Sequence, residues 1–449
     1  MPRVAAVLMA SMLATVICPA SAAAEDTETR YYVGCQNAAD HHAGTSPEAP
    51  WRSLARANEA TLQPGDWLLL QRGCVWTGEL LNASWTGSAE RVIYIGSFGD
   101  LDIPRPIIAN GGWTNVRISG SYLHLFSLDV RHDPVRFASC GQPLGTYYGF
   151  AFIEGAHHNT LKSSRASQEM TGILLDQSSS HNIVTSNELT GNNVTQTFGA
   201  GDDLGAIGLT LNGHHQEVSY NTFDNNQSVC RNENGRFYSH SVELYAARYN
   251  EIHHNRSNDR VFSELGSSAA ITSTDNVFAY NLFNSQMAQG RFITTRGADD
   301  GAYGPVWSTR LEHNTIYVTG HDAQGVVCVL GCSAAVLSVR GNIIFAETKV
   351  IYADAPFDEA DNILWNSAGD PTVQIEEVTR GGLVRYEASP TDLVADPRFA
   401  NPDGSDFELR GASPAVDRSS TPPRYSTDLA NVLVPQGDRP DTGAFELPQ

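Results

Sequence analysis

The chain has 449 residues, with 29 Lys and Arg against 50 Asp and Glu, for a formal net charge of −21. So acidic a protein repels nucleic acid and anionic lipid, both of which need a basic footprint, so neither is an expected partner. It also disfavours a polyanionic substrate unless a bound cation or a local Arg cluster screens the repulsion.

Residues 1–24 read as a secretory signal, with Arg3 as the positive start, an apolar run from Ala5 to Ile17 and a small-residue site at Ala20–Ala24. The apolar run falls short of the ~20 residues that span a bilayer. The expectation is a secreted, extracellular monomer. Cys18 leaves with the signal, and Cys35, Cys74, Cys140, Cys230, Cys328 and Cys332 remain. An even number in an exported chain fits disulfides. The expected pairs are Cys35 with Cys74, Cys140 with Cys230, and Cys328 with Cys332. Zinc is the rival reading, but no His pair accompanies the cysteines at ligand spacing.

In Arg30–Leu80, "YYV" is a strand, Ser53–Thr61 a short helix ended by Pro64, and "PGDWLLLQRG" a turn and a buried strand. Such a helix can cover the open end of a stack of strands. From Arg91 the strands become short and frequent, with Gly, Ser and Asn in the turns. Between Asn159 and Asn362 a loose unit recurs: strand, polar turn, strand, Asn. The recurring residues are Asn187, Asn221, Asn255, Asn281, Asn314, Asn342 and Asn362, at steps of 34, 34, 26, 33, 28 and 20. Uneven repeats of this length indicate a solenoid, because a coil absorbs an insertion at a turn without disturbing its neighbours. The expected fold is an all-β parallel β-helix with a short N-terminal capping helix. Asn suits the bends because it tolerates left-handed backbone, and stacked Asn side chains can form an internal ladder. The expected division is 25–110 for the cap and first coils, 111–370 for the β-helix core, and 371–449 for the last coil and an irregular C-terminal tail. That tail lies along the solenoid or closes its end.

The opening "YYVGC…GTSPEAPWRSLARAN…LQPGDWLLLQRG", the Asn repeat and the closing "DPRFANPDGSDFELRGASPAVD…PDTGAFE" resemble the secreted right-handed parallel β-helix superfamily of pectate-lyase-like proteins. The resemblance implies a right-handed solenoid that binds long carbohydrate along one face. It names no reaction, since the superfamily includes lyases, hydrolases, epimerases and esterases.

Counting back from each Asn gives candidate columns of stacked side chains. Glu169, Asp203, Tyr238, Glu264 and Arg296 each fall 17 or 18 positions before an Asn, whereas Glu243 falls 12 before Asn255, about five positions out of step. The candidate catalytic acids are Asp202, Asp203, Glu243 and Glu264. Asp203 and Glu264, two coils apart, would suit the spacing of an inverting glycosidase. Glu169, Tyr238, His240 and Arg296 are candidate substrate-binding residues. Adjacent acids in "GAGDDLGAIG" and a lone acid in "VFSELGSSAA" raise these above ordinary surface carboxylates.

The preferred reading is a glycoside hydrolase acting on a neutral or weakly charged polysaccharide, with no cofactor required. The alternatives are a Ca²⁺-dependent lyase using Arg248, Arg291 or Arg296 as base, and a non-catalytic carbohydrate-binding solenoid whose acids hold Ca²⁺. Lys162 and Lys349 are the only lysines and lie away from the acids. His157, His158, His253 and His254 read as turn and surface residues, because adjacent strand residues point to opposite faces.

Overall fold

The computed structural model describes residues 28–132, 147–198, 202–229, 231, 237–368, 373–377, 382–385 and 389–448; for 196–198, 202–204, 373–377 and 382–385 it describes backbone alone. The signal segment, Cys140 and Cys230 therefore lie outside the described residues.

Each coil contributes one short strand to each of three sheets. In the coil that carries the candidate site these are His240–Tyr245, Glu251–His253 and Arg256–Ser257, before Val261–Gly266 starts the next. The first sheet runs from Arg30–Val33 to Asp358–Ala360, the second from Leu81–Ala83 to Gly382–Arg385, and the third from Val75–Thr77 to Leu393–Val394, each with 12 strands among the described residues. Pairing within the sheets is parallel except at Val373–Glu377 with Gly382–Arg385. The expected parallel β-helix is the observed fold, and the sheets run through residue 110 without interruption.

The core is built from vertical columns. Leu161, Val184, Val218, Ile252, Phe278, Leu311 and Val339 are successive partners in the first sheet, and all are buried. Each such side chain contributes roughly 1.5–3 kcal/mol by leaving water. At the N-terminal end, Leu54–Asn58 is shorter than the expected helix. Ser53 caps it by accepting from Arg56 N–H at 3.1 Å, and Leu54 and Ala57 bury themselves over the first coil. Disulfides join Cys35 to Cys74 and Cys328 to Cys332, as expected.

The Asn ladder lies inside the corner between the first and third sheets. Asn187 N–H and Nδ2 both donate to Asn221 Oδ1, at 2.9 and 3.0 Å, while Nδ2 also donates to Leu161 O. The pattern repeats to Asn362, whose last acceptor is Asp392 Oδ1 at 2.8 and 3.1 Å. Left-handed backbone falls one residue earlier than expected. Ser186, Tyr220, His254, Tyr280, His313 and Asp361 have φ of 52–62°, so each turn strains its preceding residue and tucks the Asn inside. Two further ladders occupy the other corners: Asn159, Asn182, Gln216, Asn250 and Asn276, and Glu169, Asn192, Asn226 and Asp259.

Left-handed turns place His158 and His254 as the sequence reading expects, but they bring each histidine pair together. At φ 54° and 55°, His158 and His254 swing back onto their neighbours, so Nδ1 atoms meet at 2.9 Å in His157–His158 and 2.7 Å in His253–His254. His253 and His254 are also buried rather than on the surface. Among the described residues no group of three or more His, Cys, Asp or Glu is placed to hold a metal ion.

The C-terminal segment lies along the solenoid. Phe399, Phe407, Leu409 and Phe445 cover Leu282, Ile343 and Ile363 on the outside of the third sheet. Arg424 pairs with Glu312 at 2.8 Å, Tyr425 OH donates to Glu251 at 2.9 Å, and His254 Nε2 meets Thr427 O at 2.9 Å.

If the ladder sets coil spacing, Asn255→Leu strands the buried Asn221 N–H and Val218 carbonyl, which it now satisfies at 2.9 and 2.8 Å. The expected cost is roughly 2–5 kcal/mol, read as a lower urea midpoint; an unchanged midpoint would show that the corner reorganises freely.

Candidate active site

Outward positions of the second sheet form columns that the register reads directly. Thr210 pairs with Glu243, Glu243 with Glu264, Glu264 with Thr294 and Thr294 with Val327. Glu243 and Glu264 are therefore immediate neighbours, contrary to the ladder count. The discrepancy is a loop. From Tyr245 to the Arg248 bridge is three steps, whereas from its partner Gly266 to the Thr274 bridge is eight. The five extra residues lie between the carboxylates and the Asn from which they were counted.

The other candidates separate. Glu169 is not in this column: it sits fully buried in the third corner ladder, accepting from Asn115 Nδ2 at 2.5 Å and donating its own N–H to Asn192 at 3.2 Å. Burial holds its carboxyl well above the usual range, against the Asn115 hydrogen bond. Asp202 and Asp203 lie on Asp202–Gly205, which pairs antiparallel with Thr195–Phe198 outside the three sheets; their side chains lie outside the described residues. Asp203 is thus not a coil-stacked partner of Glu264. Arg296 stands one coil beyond Glu264 and two positions past its partner Thr294. Tyr238 precedes the His240–Tyr245 strand, its ring edge-on to His240 at 4.6 Å.

Glu243, Glu264, His240 and Arg296 do converge. Arg296 Nη2 donates to Glu264 Oε1, and His240 Nε2 lies 3.3 Å from Glu264 Oε2. Arg296 Nη1 also donates to Leu265 O at 2.6 Å, and Nε pairs with Asp300 Oδ2 at 3.2 Å. Asp300 Oδ1 accepts from Ala302 and Tyr303 N–H at 2.9 and 3.0 Å, folding the "GADDGAYG" loop over the guanidinium. Arg296 then lies 5.6 Å from the Tyr303 ring centroid. Gly266 leaves room for the Tyr245 ring, which lies 3.2 Å from where a Cβ would stand, with Tyr303 Cβ at 3.5 Å. Tyr245 and Tyr303, 37% and 44% exposed with centroids 6.5 Å apart, offer two aromatic surfaces beside the acids. Asp300, Tyr303, Tyr245 and Gly266 were missed in the sequence; the Gly- and Asp-rich loop after Arg296 was the available signal.

The two carboxyls are biased in opposite directions. Burial raises the Glu243 pKa to about 7, with the Glu264 charge adding to it and Arg296 opposing. Its Oε2 is buried without a hydrogen-bond partner. Burial also works against ionisation of Glu264, but the His240 hydrogen bond and the Arg296 charge override it and hold the carboxyl well below its usual range. Burial lowers the His240 pKa against the pull of Glu264. Nε2 is the ring nitrogen that faces Glu264. The arrangement can therefore offer a proton from Glu243 beside a fixed carboxylate on Glu264.

The fold defines the class of protein. Pectate lyase Pel9A is similar over 94% of this chain and 97% of its own, at TM-score 0.55 and 15% identity. XylC in complex with xylose is similar over 93% and 98%, at TM-score 0.51 and 11% identity. The chain has the right-handed parallel β-helix fold. In sequence, 87 residues are 40% identical to a lacto-N-biosidase of Bifidobacterium longum subsp. longum, a stretch that makes up 19% of this chain and only 5% of that protein. No protein-family model matches the chain.

Glu243 titrates at about 7 in the folded chain against 4.5 for an ordinary Glu. The unfolded chain binds fewer protons between those values, so the stability contributed by the neutral group is fully present below pH 4.5 and is lost as pH rises through about 7. Glu243→Gln removes this loss. Its stability relative to wild type is expected to rise by roughly 1–3 kcal/mol between pH 4.5 and about pH 8.5. Urea unfolding at the two pH values measures the change, and a difference independent of pH contradicts the buried, neutral Glu243.

Proposed function

We propose that the protein is a retaining glycoside hydrolase that acts on a neutral or weakly charged glycan lying across the coils of the second sheet. The observation that carries the reading is the pairing of Glu243 with Glu264 on adjacent strands, one carboxyl biased neutral and the other ionised. Neighbouring strands stand about 4.8 Å apart. Retaining glycosidases separate their carboxyls by about 5 Å, whereas inverting enzymes need roughly 6.5–9.5 Å to admit water. The partial likeness to a lacto-N-biosidase supports hydrolysis of a glycosidic bond.

In this mechanism Glu243 gives its proton to the glycosidic oxygen as the bond from the anomeric carbon to that oxygen breaks. Glu264 attacks the anomeric carbon and forms a glycosyl ester. Glu243, now a carboxylate, takes a proton from water, whose oxygen attacks the same carbon and releases Glu264. Arg296 and His240 hold the nucleophile ionised and oriented, Asp300 orients Arg296, and Tyr245 and Tyr303 offer stacking surfaces to sugar rings.

A Ca²⁺-dependent lyase has less support. Glu264 directs one oxygen at a guanidinium and the other at an imidazole, so the carboxyl pair already has its positive partner, and this donor set does not fit Ca²⁺. Arg296 is engaged by Glu264 and Asp300 instead of standing free as a base. The two disulfides and the reading of residues 1–24 support an extracellular site of action; a monomer without nucleic-acid or membrane partners remains the proposed state.

Lacto-N-tetraose, xylan and pectin, each with and without EDTA, separate the readings. The expected outcome is new reducing ends without the ultraviolet absorbance of an unsaturated uronate, no EDTA effect, and a first product with the anomeric configuration of the substrate. Glu243→Gln and Glu264→Gln should each lower kcat by about 10²–10⁴-fold, and Glu243→Gln should abolish the alkaline limb of the pH profile near 7. Full activity in both folded variants rules out this site; an unsaturated product on pectin establishes the lyase instead.

A further inference from the structure

We infer a second, non-catalytic binding groove for neutral oligosaccharide on the outer edge of the first sheet. A groove of about 350 Å³ opens there between two rows of side chains, His181, His215 and Tyr249 on one side and Ile183, Glu217 and Glu251 on the other. It lies on a different sheet from Glu243 and Glu264, so the inference does not depend on how those residues act.

The first row follows from the left-handed turns. His158, His181, His215 and Tyr249 have φ of 53–58°, which directs one ring per coil outward. From Tyr122 through Tyr249 the rings stack with centroids 4.9–5.0 Å apart. Their edges form one wall of the groove. His215 directs Nδ1 at His214, 2.9 Å away, and its exposed ring presents the Nε2 edge to solvent. Tyr249 is 48% exposed.

The second row is set by strand register, Ile183 with Glu217 and Glu217 with Glu251. Glu217 accepts from Ser219 Oγ at 2.9 Å and lies 3.5 Å from His253 Nε2. Glu251 accepts from Tyr425 OH at 2.9 Å and lies 3.7 Å from Arg424. The C-terminal segment thus completes this wall. Both carboxylates remain 40% and 45% exposed, with acceptor capacity directed to solvent.

This chemistry selects the ligand. Two carboxylates reject an anion. Arg424 and His253 already face them, which removes the incentive for a compact cation. Alternating imidazole edges and carboxylates would not accept a purely apolar group. Hydroxyl groups suit both kinds of partner, and Ile183 and Tyr249 offer apolar surface for the C–H face of a sugar ring. The ring-bearing wall repeats at each coil, about every 4.8 Å, and two of the three coils add a carboxylate opposite, which suits an extended glycan lying along the axis.

The test uses the full chain carrying Glu243→Gln, so that a substrate is not consumed. Xylohexaose, cellohexaose, mannohexaose, laminarihexaose and lacto-N-tetraose are titrated by calorimetry and by saturation-transfer NMR. The expected result is, for at least one glycan, a site that is weakened at least tenfold by Ile183→Arg and by Tyr249→Ala, whatever else binds. Ile183 is an exposed side chain, so its replacement fills the groove without disturbing the core. The inference is overturned if no probe binds, or if every site observed keeps its affinity in both variants.

Discussion

Stacking by amide ladders is the constraint on which the rest of the molecule depends. In each corner a buried side-chain oxygen accepts from the coil before, and the same residue's amide donates to the coil after. The interior thereby acquires a polar spine that leaves the corner amides satisfied where no water reaches. It also holds coils in register, which inward Val, Leu and Phe alone would not do, because apolar contacts are non-directional. The ladder tolerates substitution where chemistry is preserved: Gln216 takes an Asn place in one corner, and Glu169 and Asp259 do so in another.

That register is what brings together two acids 21 positions apart in the chain. Both lie on the outward face of one sheet, in coils whose backbones are fixed by their corners. The environment then differentiates them. Glu264 receives two donors from neighbouring coils, His240 before it and Arg296 after it. Glu243 has an oxygen buried without a partner and a carboxylate next door. Two like groups on one rigid surface are pushed apart in acidity by which of them the cations and N–H groups reach, which is the physical requirement for dividing acid and nucleophile roles.

The architecture was legible in the sequence because it depends on a repeated residue. Seven Asn positions sufficed for a parallel solenoid, and the ladder they form is the one expected. The site was less legible because it depends on register, and register is lost wherever a loop intervenes. Five added residues between Gly266 and Thr274 displaced Glu264 against the Asn count and separated it on paper from Glu243, its true neighbour. Counting from the inward leucine that follows each acid, Leu244 against Leu265, would have aligned the pair, since no insertion falls between them and the acids. Glu169 misled for the opposite reason: its count agreed by coincidence, although it occupies a corner and faces inward. The reading of the histidine pairs as turn and surface residues fails only at His253 and His254, which are buried under the C-terminal segment.

The C-terminal segment is distributed unevenly over the three sheets. The C-terminal segment lies over the third sheet and reaches across the corner to the first, placing Phe407 and Phe445 on one and Arg424 and Tyr425 on the other. What it covers is apolar or paired; what it leaves open carries Glu243, Glu264, Arg296, Tyr245 and Tyr303. A solenoid has no natural cleft, since its faces are flat and its core is filled. Here the walls come from insertions at the ends of strands, above all the Gly297–Gly304 loop pinned by Asp300 to Arg296. Because Arg296 binds both that loop and Glu264, the residue that favours the ionised form of Glu264 is also the one that holds the loop in place, so the charge of this surface and its shape rise and fall together.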